Sequence, residues 1–320
     1  MRLPLQPCSI PRVRILSMLA AILTTFFFAL SGVTGQRVAV RLGGIWGNML
    51  RLLIAAMVLG IVVLILSPDS IRKEPFAWFF VSGLIGFGMG DVALFLAYER
   101  LGSRLTFLLN LCLAPLFAML LEYFWLGNGV TIPIVVCAAL ILAGVTMAVR
   151  PGARSRQKVE RRGNFWVGIV FAVMAGCGQG SGAVISRKAE EVAHEVGVAV
   201  TGVSAAFQRV IAGLVFAIVA VLIIRLIGKR ELWENWRSPL DKKVAPWLFG
   251  AALFGPVIGV SFFQWALQSL ESGIVLAVVA TTPIVLMPMA AITEGDHPSR
   301  LAILGAVVAV TGVILLNLWA

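Results

Sequence analysis

The chain has 320 residues, is 60% hydrophobic, carries only 13% charged residues and has a mean hydropathy of +0.97. A soluble domain carries roughly a quarter charged residues, so this composition excludes an ordinary soluble protein and points to a membrane. The net charge of +11 sits mostly in short connections between apolar runs, which suits anionic lipid headgroups and topology setting rather than nucleic acid.

Ten apolar runs close to the ~20 residues needed to cross ~30 Å of hydrocarbon follow one another: 15–34, 45–66, 76–97, 105–125, 131–149, 165–185, 198–226, 244–267, 274–292 and 301–319. The first, behind a short basic leader (1–14), has the outline of a signal peptide. Retention is expected, because the run exceeds the usual length of ~7–15 residues and no small-x-small site follows it. The second run opens with Arg51 in "GNMLRLLIAAMVLG". Such an arginine either snorkels to the headgroups and anchors its helix end, or turns inward as a gating charge. The third run holds Asp91 in "GFGMGDVALF", where an acid faces either a cavity or a partner helix. Gly86, Gly88 and Gly90 before it permit close packing or local unwinding. Tyr98 and Glu99 fall near the end of this run and read as interfacial.

Asn110 and Pro115 lie in the fourth run, which ends with Glu122 in an aromatic belt beside Tyr123 and Trp125. Cys137, Ala138 and Gly144 give the fifth a small-residue face. A basic stretch, "RPGARSRQKVERRG" (150–163), reads as a solvated linker. The sixth run carries Gln179 and Ser181, the seventh Arg209, and the eighth Pro256, Gln264 and Trp265. Buried amides and hydroxyls of this kind either join helices by hydrogen bonds or meet a substrate. Pro283 and Pro288 lie in the ninth run; with Gly86, Gly90, Pro115 and Pro256 they are hinge candidates or simple kinks. Gly305, Ala309 and Gly312 line one face of the tenth, suited to close contact within a monomer or in a homodimer. Cys8, Cys112, Cys137 and Cys177 have neither metal-like nor disulfide-like spacing, and nothing implies a cofactor or metal.

The chain is written twice. "SGVTGQRVA" parallels "SGAVISRKA", aligning Gly32 with Gly182 and Arg37 with Arg187. "WFFVSGLIGFGMGDVALFLAYERLGS" parallels "WLFGAALFGPVIGVSFFQWALQSLES", aligning Gly86 with Gly255 and Asp91 with Val260. Arg51 aligns with Arg209, Pro115 with Pro283 and Gly144 with Gly312. Residues 1–149 and 164–320 therefore form two units of five spans each. Five is odd, so the second unit enters the membrane in the opposite sense. Inverted repeats of this kind build many secondary transporters, with the solute site between the halves.

These motifs resemble the EamA-type, ten-helix members of the drug/metabolite transporter superfamily. The resemblance rests on the second-helix arginine in "NMLRLLIAA", the aromatic-Ala-Leu motif in "QWALQSLES" and, more loosely, "LAYERLGS", and the proline early in the fourth helix. Two departures concern the Gly-Glu turn before the fifth helix: Asn128 replaces its acid, and "EGD" (294–296) scrambles it in the second repeat. The first helix has Thr24 and Thr25 but no acid, so the glutamate-based proton mechanism of the multidrug members does not carry over. The resemblance implies a multi-pass transporter of the bacterial inner membrane, moving a small-molecule substrate such as an amino acid or amine by alternating access, with a coupling ion or proton as a further partner.

Orientation divides the indicators. One face carries 17 Lys and Arg in its connections and the other 7. The positive-inside rule puts the linker and residues 225–243 in the cytoplasm and both termini outside; the family resemblance implies termini inside. No Walker-type stretch is present, which excludes an ATP-driven pump carrying its own nucleotide domain in this chain. The alternatives are a membrane enzyme on lipid-linked substrates, for which only His194 and His297 offer imidazoles, and a lipid or headgroup translocase.

Overall fold

A computed structural model describes residues 11–71, 73–126, 132–149, 163–227, 241–270, 272–295 and 297–319. The linker 150–162, most of the leader, Asn128 and Asp296 lie outside the described residues.

Runs rich in Leu, Ile, Val and Ala, with no water to satisfy backbone groups, form helices because a helix bonds every N–H and C=O internally. The first five helices are α1 (Pro11–Leu42), α2 (Gly44–Leu66), α3 (Glu74–Leu101), α4 (Ser103–Leu126) and α5 (Ile132–Val149). The second five are α6 (Phe165–Glu195), α7 (Gly202–Leu226), α8 (Ala245–Ser269), α9 (Ser272–Glu294) and α10 (Arg300–Trp319). Eight are long and apolar enough to cross a membrane; α5 and α10 are the shorter apolar pair. The protein is an all-α, multi-pass membrane protein of ten helices in two inverted five-helix repeats. Between α1 and α2, and between α3 and α4, the chain reverses at single glycines, Gly43 (φ 88°) and Gly102 (φ 79°), in the left-handed region closed to most side chains.

Several elements differ from the sequence expectation. α1 and α6 run well past their apolar cores, to 32 and 31 residues. Each continues as a helix into "SGVTGQRVAVRL" and "SGAVISRKAEEVAHE", which hydropathy alone ends too early. α9 is not one continuous helix: it stops at Val279 and restarts at Thr282, with Pro283 in the first turn of the restarted piece. Proline suits that position because its missing N–H would have no helical partner there. Pro115 instead lies inside the uninterrupted α4.

α3 and α8 each contain a seven-residue π-helical stretch, Leu84–Gly90 and Leu253–Gly259, at equivalent positions of the two repeats. The "unwinding" expected from Gly86 and Gly90 takes this form, and Pro256 lies inside the second stretch. π turns are rare and widen the helix locally, often at functional sites. Thr24 of α1 donates to the Gly259 carbonyl at 3.4 Å, serving a backbone group at the end of that stretch.

Packing follows a pseudo-two-fold axis in which equivalent helices meet. α2 packs on α7, and α5 packs on α10. α3 and α4 hold α6, as α8 and α9 hold α1. The outward residues Met57, Ile61 and Leu64 of α2 and Val219 and Leu222 of α7 are exposed, as a lipid-facing surface requires. The small-residue faces noted on the fifth and tenth runs meet each other within one chain. A Cβ on Gly144 would come within 2.6 Å of the Gly305 carbonyl, and one on Gly312 within 2.8 Å of Ile141.

That close approach predicts an asymmetric response to added bulk. Gly144→Leu overpacks the α5–α10 contact and lowers stability by about 1–3 kcal/mol. Val136→Leu, on the exposed side of α5, leaves thermal unfolding of the purified protein unchanged.

Candidate functional site

Between the two repeats lies a buried cavity of about 50 Å³, room for a few waters and nothing larger. Helices α1, α2, α3 and α4 of the first repeat and α6, α7 and α8 of the second supply its walls. Polar groups on it come from Ser31, Arg51, Asp91, Tyr98, Asn110, Gln179 and Arg209; Phe28, Phe87, Phe107 and Phe263 supply much of the apolar remainder.

The two arginines are central to it. Arg51 is 4% and Arg209 3% exposed, so neither snorkels to a membrane surface. Both line one cavity, because α2 and α7 pack together across the pseudo-two-fold axis. Each guanidinium nests against the π-helical glycine of the opposite repeat. A Cβ on Gly86 would meet Arg209 Nη2 at 2.8 Å, and one on Gly255 would meet Arg51 Nη1 at 3.1 Å. The two aligned glycines thus sit directly against the guanidiniums, and a Cβ at Gly255 would also meet Ser31 Oγ at 2.5 Å.

Their electrostatic partners differ. Arg51 Nη2 forms an ion pair with Asp91 Oδ2, donates to Asn48 Oδ1 at 3.1 Å, and its guanidinium lies 4.7 Å from the Phe95 ring centroid. Arg209 lies 5.3 Å from the Phe87 ring centroid and interacts electrostatically with Asp91 without bonding it directly. Cation–π contact with a ring face contributes about 0.5–2 kcal/mol, more when desolvated.

Of the remaining sequence candidates, Asn110, Gln179, Gly86 and Pro256 line the cavity. Gly90 packs beside it against Gly178 of α6. Gln264 is buried away from it and donates to Ser186 Oγ at 3.2 Å. Ser186 in turn lies 2.9 Å from Ser82 Oγ, so a chain of side-chain bonds ties α8, α6 and α3 together. Ser181, half-buried on α6, is not among the lining residues, and neither are Pro115 of α4 and Pro283 of α9. Trp265 is 40% exposed and stacks on Phe262 at 6.0 Å, facing away from the cavity. Tyr98 moves the other way. Expected at an interface, it is fully buried, stacks on Phe107 at 6.0 Å and lines the cavity. Nothing in its local sequence separates these positions; only the packing of α3 against α1 and α4 does.

Carboxylates close the seam at both ends. Near the linker face, Glu294 at the end of α9 accepts from Ser103 N at 3.1 Å and from Ser103 Oγ, at the start of α4. Near the opposite face, Glu122 late in α4 accepts from Ser272 Oγ at 3.2 Å, at the start of α9. Ser103 and Ser272 are repeat equivalents, so the fourth helix of each repeat is latched to that of the other. Glu99 also caps a helix start, accepting from Gly44 N at 2.6 Å. Glu99 and Glu122 thus hold helix ends together rather than simply reaching for water. Among the described residues no group of three or more His, Cys, Asp or Glu is placed to hold a metal ion.

The model of the EamA-like transporter family matches this chain twice, over residues 15–150 and 166–318. The chain belongs to the EamA-like transporter family. Membership makes it a transporter of the drug/metabolite type at the level of class, and fits the two-repeat, ten-helix architecture. No curated protein matches it. A protein of known crystal structure is similar with a TM-score of 0.59 and 20% identity, covering 98% of each chain, which speaks for the shared fold alone.

In this family member the Arg51–Asp91 pair is a measurable coupling. Arg51→Ala leaves Asp91 without its direct partner, with only the unbonded Arg209 as counter-charge, and is expected to lower stability by less than the ~3–5 kcal/mol of a fully uncompensated buried charge. Adding Asp91→Asn to that variant should recover a large part of the loss in thermal unfolding. Equal melting of the single and double variants would mean the two side chains are uncoupled.

Proposed function

We propose that this EamA family member is a secondary transporter that carries a small polar metabolite through the seam between its repeats by alternating access, in the inner membrane of a bacterium. The observation that carries this reading is the buried, charged cavity lined by both repeats at mid-chain-depth positions of seven helices. Ionisable groups inside a membrane bundle are costly, and they mark solute or ion pathways. Asp91, Asn110, Gln179 and the two arginines are the proposed solute-facing groups; Gln264 and Ser181 belong to the surrounding helix contacts, and Trp265 to the outer surface.

The cavity is far smaller than an amino acid or amine, so a solute enters only when the seam widens. Opening toward either face requires the fourth helices to separate at one end. Ser103–Glu294 then acts as the latch on the linker face and Ser272–Glu122 as the latch on the other. The π-helical stretches and the break in α9 are the flexible points nearest the cavity. Energy coupling to an ion or proton, or exchange of one solute for another, is compatible with this geometry.

Two measurements test the reading. Counterflow of labelled metabolites in proteoliposomes needs no assumption about coupling; saturable exchange supports it, and its absence across neutral, cationic and anionic solutes removes it. Ser103→Ala takes away one charge-assisted hydrogen bond and should favour opening at the linker face by about tenfold. The readout is maleimide labelling of a single cysteine at position 111, in a background without native thiols. Faster labelling from the opposite face instead would assign the latches the wrong way round.

A further inference from the structure

Repeat symmetry makes a specific demand that the cavity does not meet. Arg51 and Arg209 are equivalents, and so are Asp91 and Val260. The counterpart of the Arg51–Asp91 ion pair would therefore be a pair between Arg209 and residue 260. Residue 260 is a buried valine on the cavity wall, and no acid replaces it. Among the described residues, Arg209 makes no side-chain hydrogen bond or ion pair, and its Nε is buried without a partner. Two guanidiniums and one carboxylate leave the cavity with one positive charge in excess, on side chains that are buried. Such a charge is unfavourable unless something neutralises it.

We infer that the transported solute is a small organic monoanion, whose carboxylate takes at Arg209 the place that Asp91 takes at Arg51. The inference rests on the carrier reading above and names its substrate class. A guanidinium matches a carboxylate in planar, two-point geometry. Charge counting selects among candidates. A monoanion neutralises the site, a zwitterion leaves its excess charge in place, an amine doubles it, and a phosphate monoester overshoots. Asn110 adds a second feature: its Oδ1 is buried on the cavity wall with no partner, an acceptor for a hydroxyl or amide N–H on the solute. Phe28, Phe87, Phe107 and Phe263 offer ring faces and edges to an apolar body. The substrate class is thus a small monocarboxylate with a hydroxyl or amide donor and an apolar substituent. Both arginines come from second helices, so the site assembles only when the two repeats are closed upon each other.

The test uses the purified full chain with lactate, 3-phenyllactate and hippurate, each beside its own primary amide, and with a matched amine, a neutral sugar and a phosphate monoester. Thermal stabilisation reports binding and proteoliposome counterflow reports transport. At least one acid should stabilise and exchange where its amide does not. Arg209→Gln should weaken that acid by about 10- to 100-fold, the loss expected of a charged hydrogen-bond partner. Val260→Asp installs the missing symmetric acid. It should fold at least as stably as the parent, because it neutralises the cavity, while losing recognition of the acid. This variant guards against the case in which Arg209→Gln fails to fold. Equal action of acid and amide, preference for the phosphate ester, or undiminished acid binding by Val260→Asp would overturn the inference. Counterflow of the sugar or amine alone overturns the monoanion class and leaves the carrier reading standing. Counterflow of nothing on the panel removes both.

Discussion

The structure is organised around two guanidiniums held in the buried seam between its repeats. Charged side chains inside membrane helices are costly, and this chain buries two, Arg51 and Arg209, each about two turns from the start of its helix. Three devices share the burden. Ring faces of Phe95 and Phe87 lie against the charges. The π-helical stretches of α3 and α8 bring bare glycine backbone to each guanidinium. Asp91 forms a direct ion pair with Arg51 and acts on Arg209 without bonding it.

The reciprocal nesting has a consequence for how the halves are joined. Arg51 meets Gly255 and Arg209 meets Gly86, so each guanidinium touches the opposite repeat, while Arg51 draws its ion pair, hydrogen bond and ring contact from its own. Neither repeat can bury its own arginine alone in this way, so the seam is stabilised by the same groups that make it polar. A solute that engages these groups is bound where the halves meet, and its binding energy bears directly on their relative position. Symmetry supplies the housing, and its breach at residue 260 supplies the chemistry.

The two carboxylate latches extend this logic to the membrane faces. Ser103 and Ser272 open the fourth helices of their repeats, and each is held by an acid late in the fourth helix of the other. The linker-face contact between Ser103 and Glu294 is buried, whereas the opposite contact between Ser272 and Glu122 is partly buried. Inverted repeats make the two ends alike in construction and allow them to differ in strength, which is what an exchange between two open states requires. α5 and α10, locked together by Gly144, Gly305 and Gly312, stand behind this arrangement as a fixed brace.

Much of this was legible in the chain itself. Ten apolar runs dictate ten spans, since hydrocarbon leaves the backbone no other way to bond, and an odd count per repeat dictates inversion. The alignment of Arg51 with Arg209, Gly86 with Gly255 and Asp91 with Val260 was equally plain. What a one-dimensional pattern does not contain is which faces meet. Snorkelling and inward arginines have the same spacing, so the convergence of Arg51 and Arg209 on one cavity waited for the packing of α2 on α7. Tyr98 and Trp265 illustrate the same limit: both are aromatic and near helix ends, yet one is buried on the cavity wall and the other stacks outward. Local composition determines that a segment is helical and apolar; the rotation of each helix about its axis is set by all of its neighbours at once, and only the tertiary structure decides it.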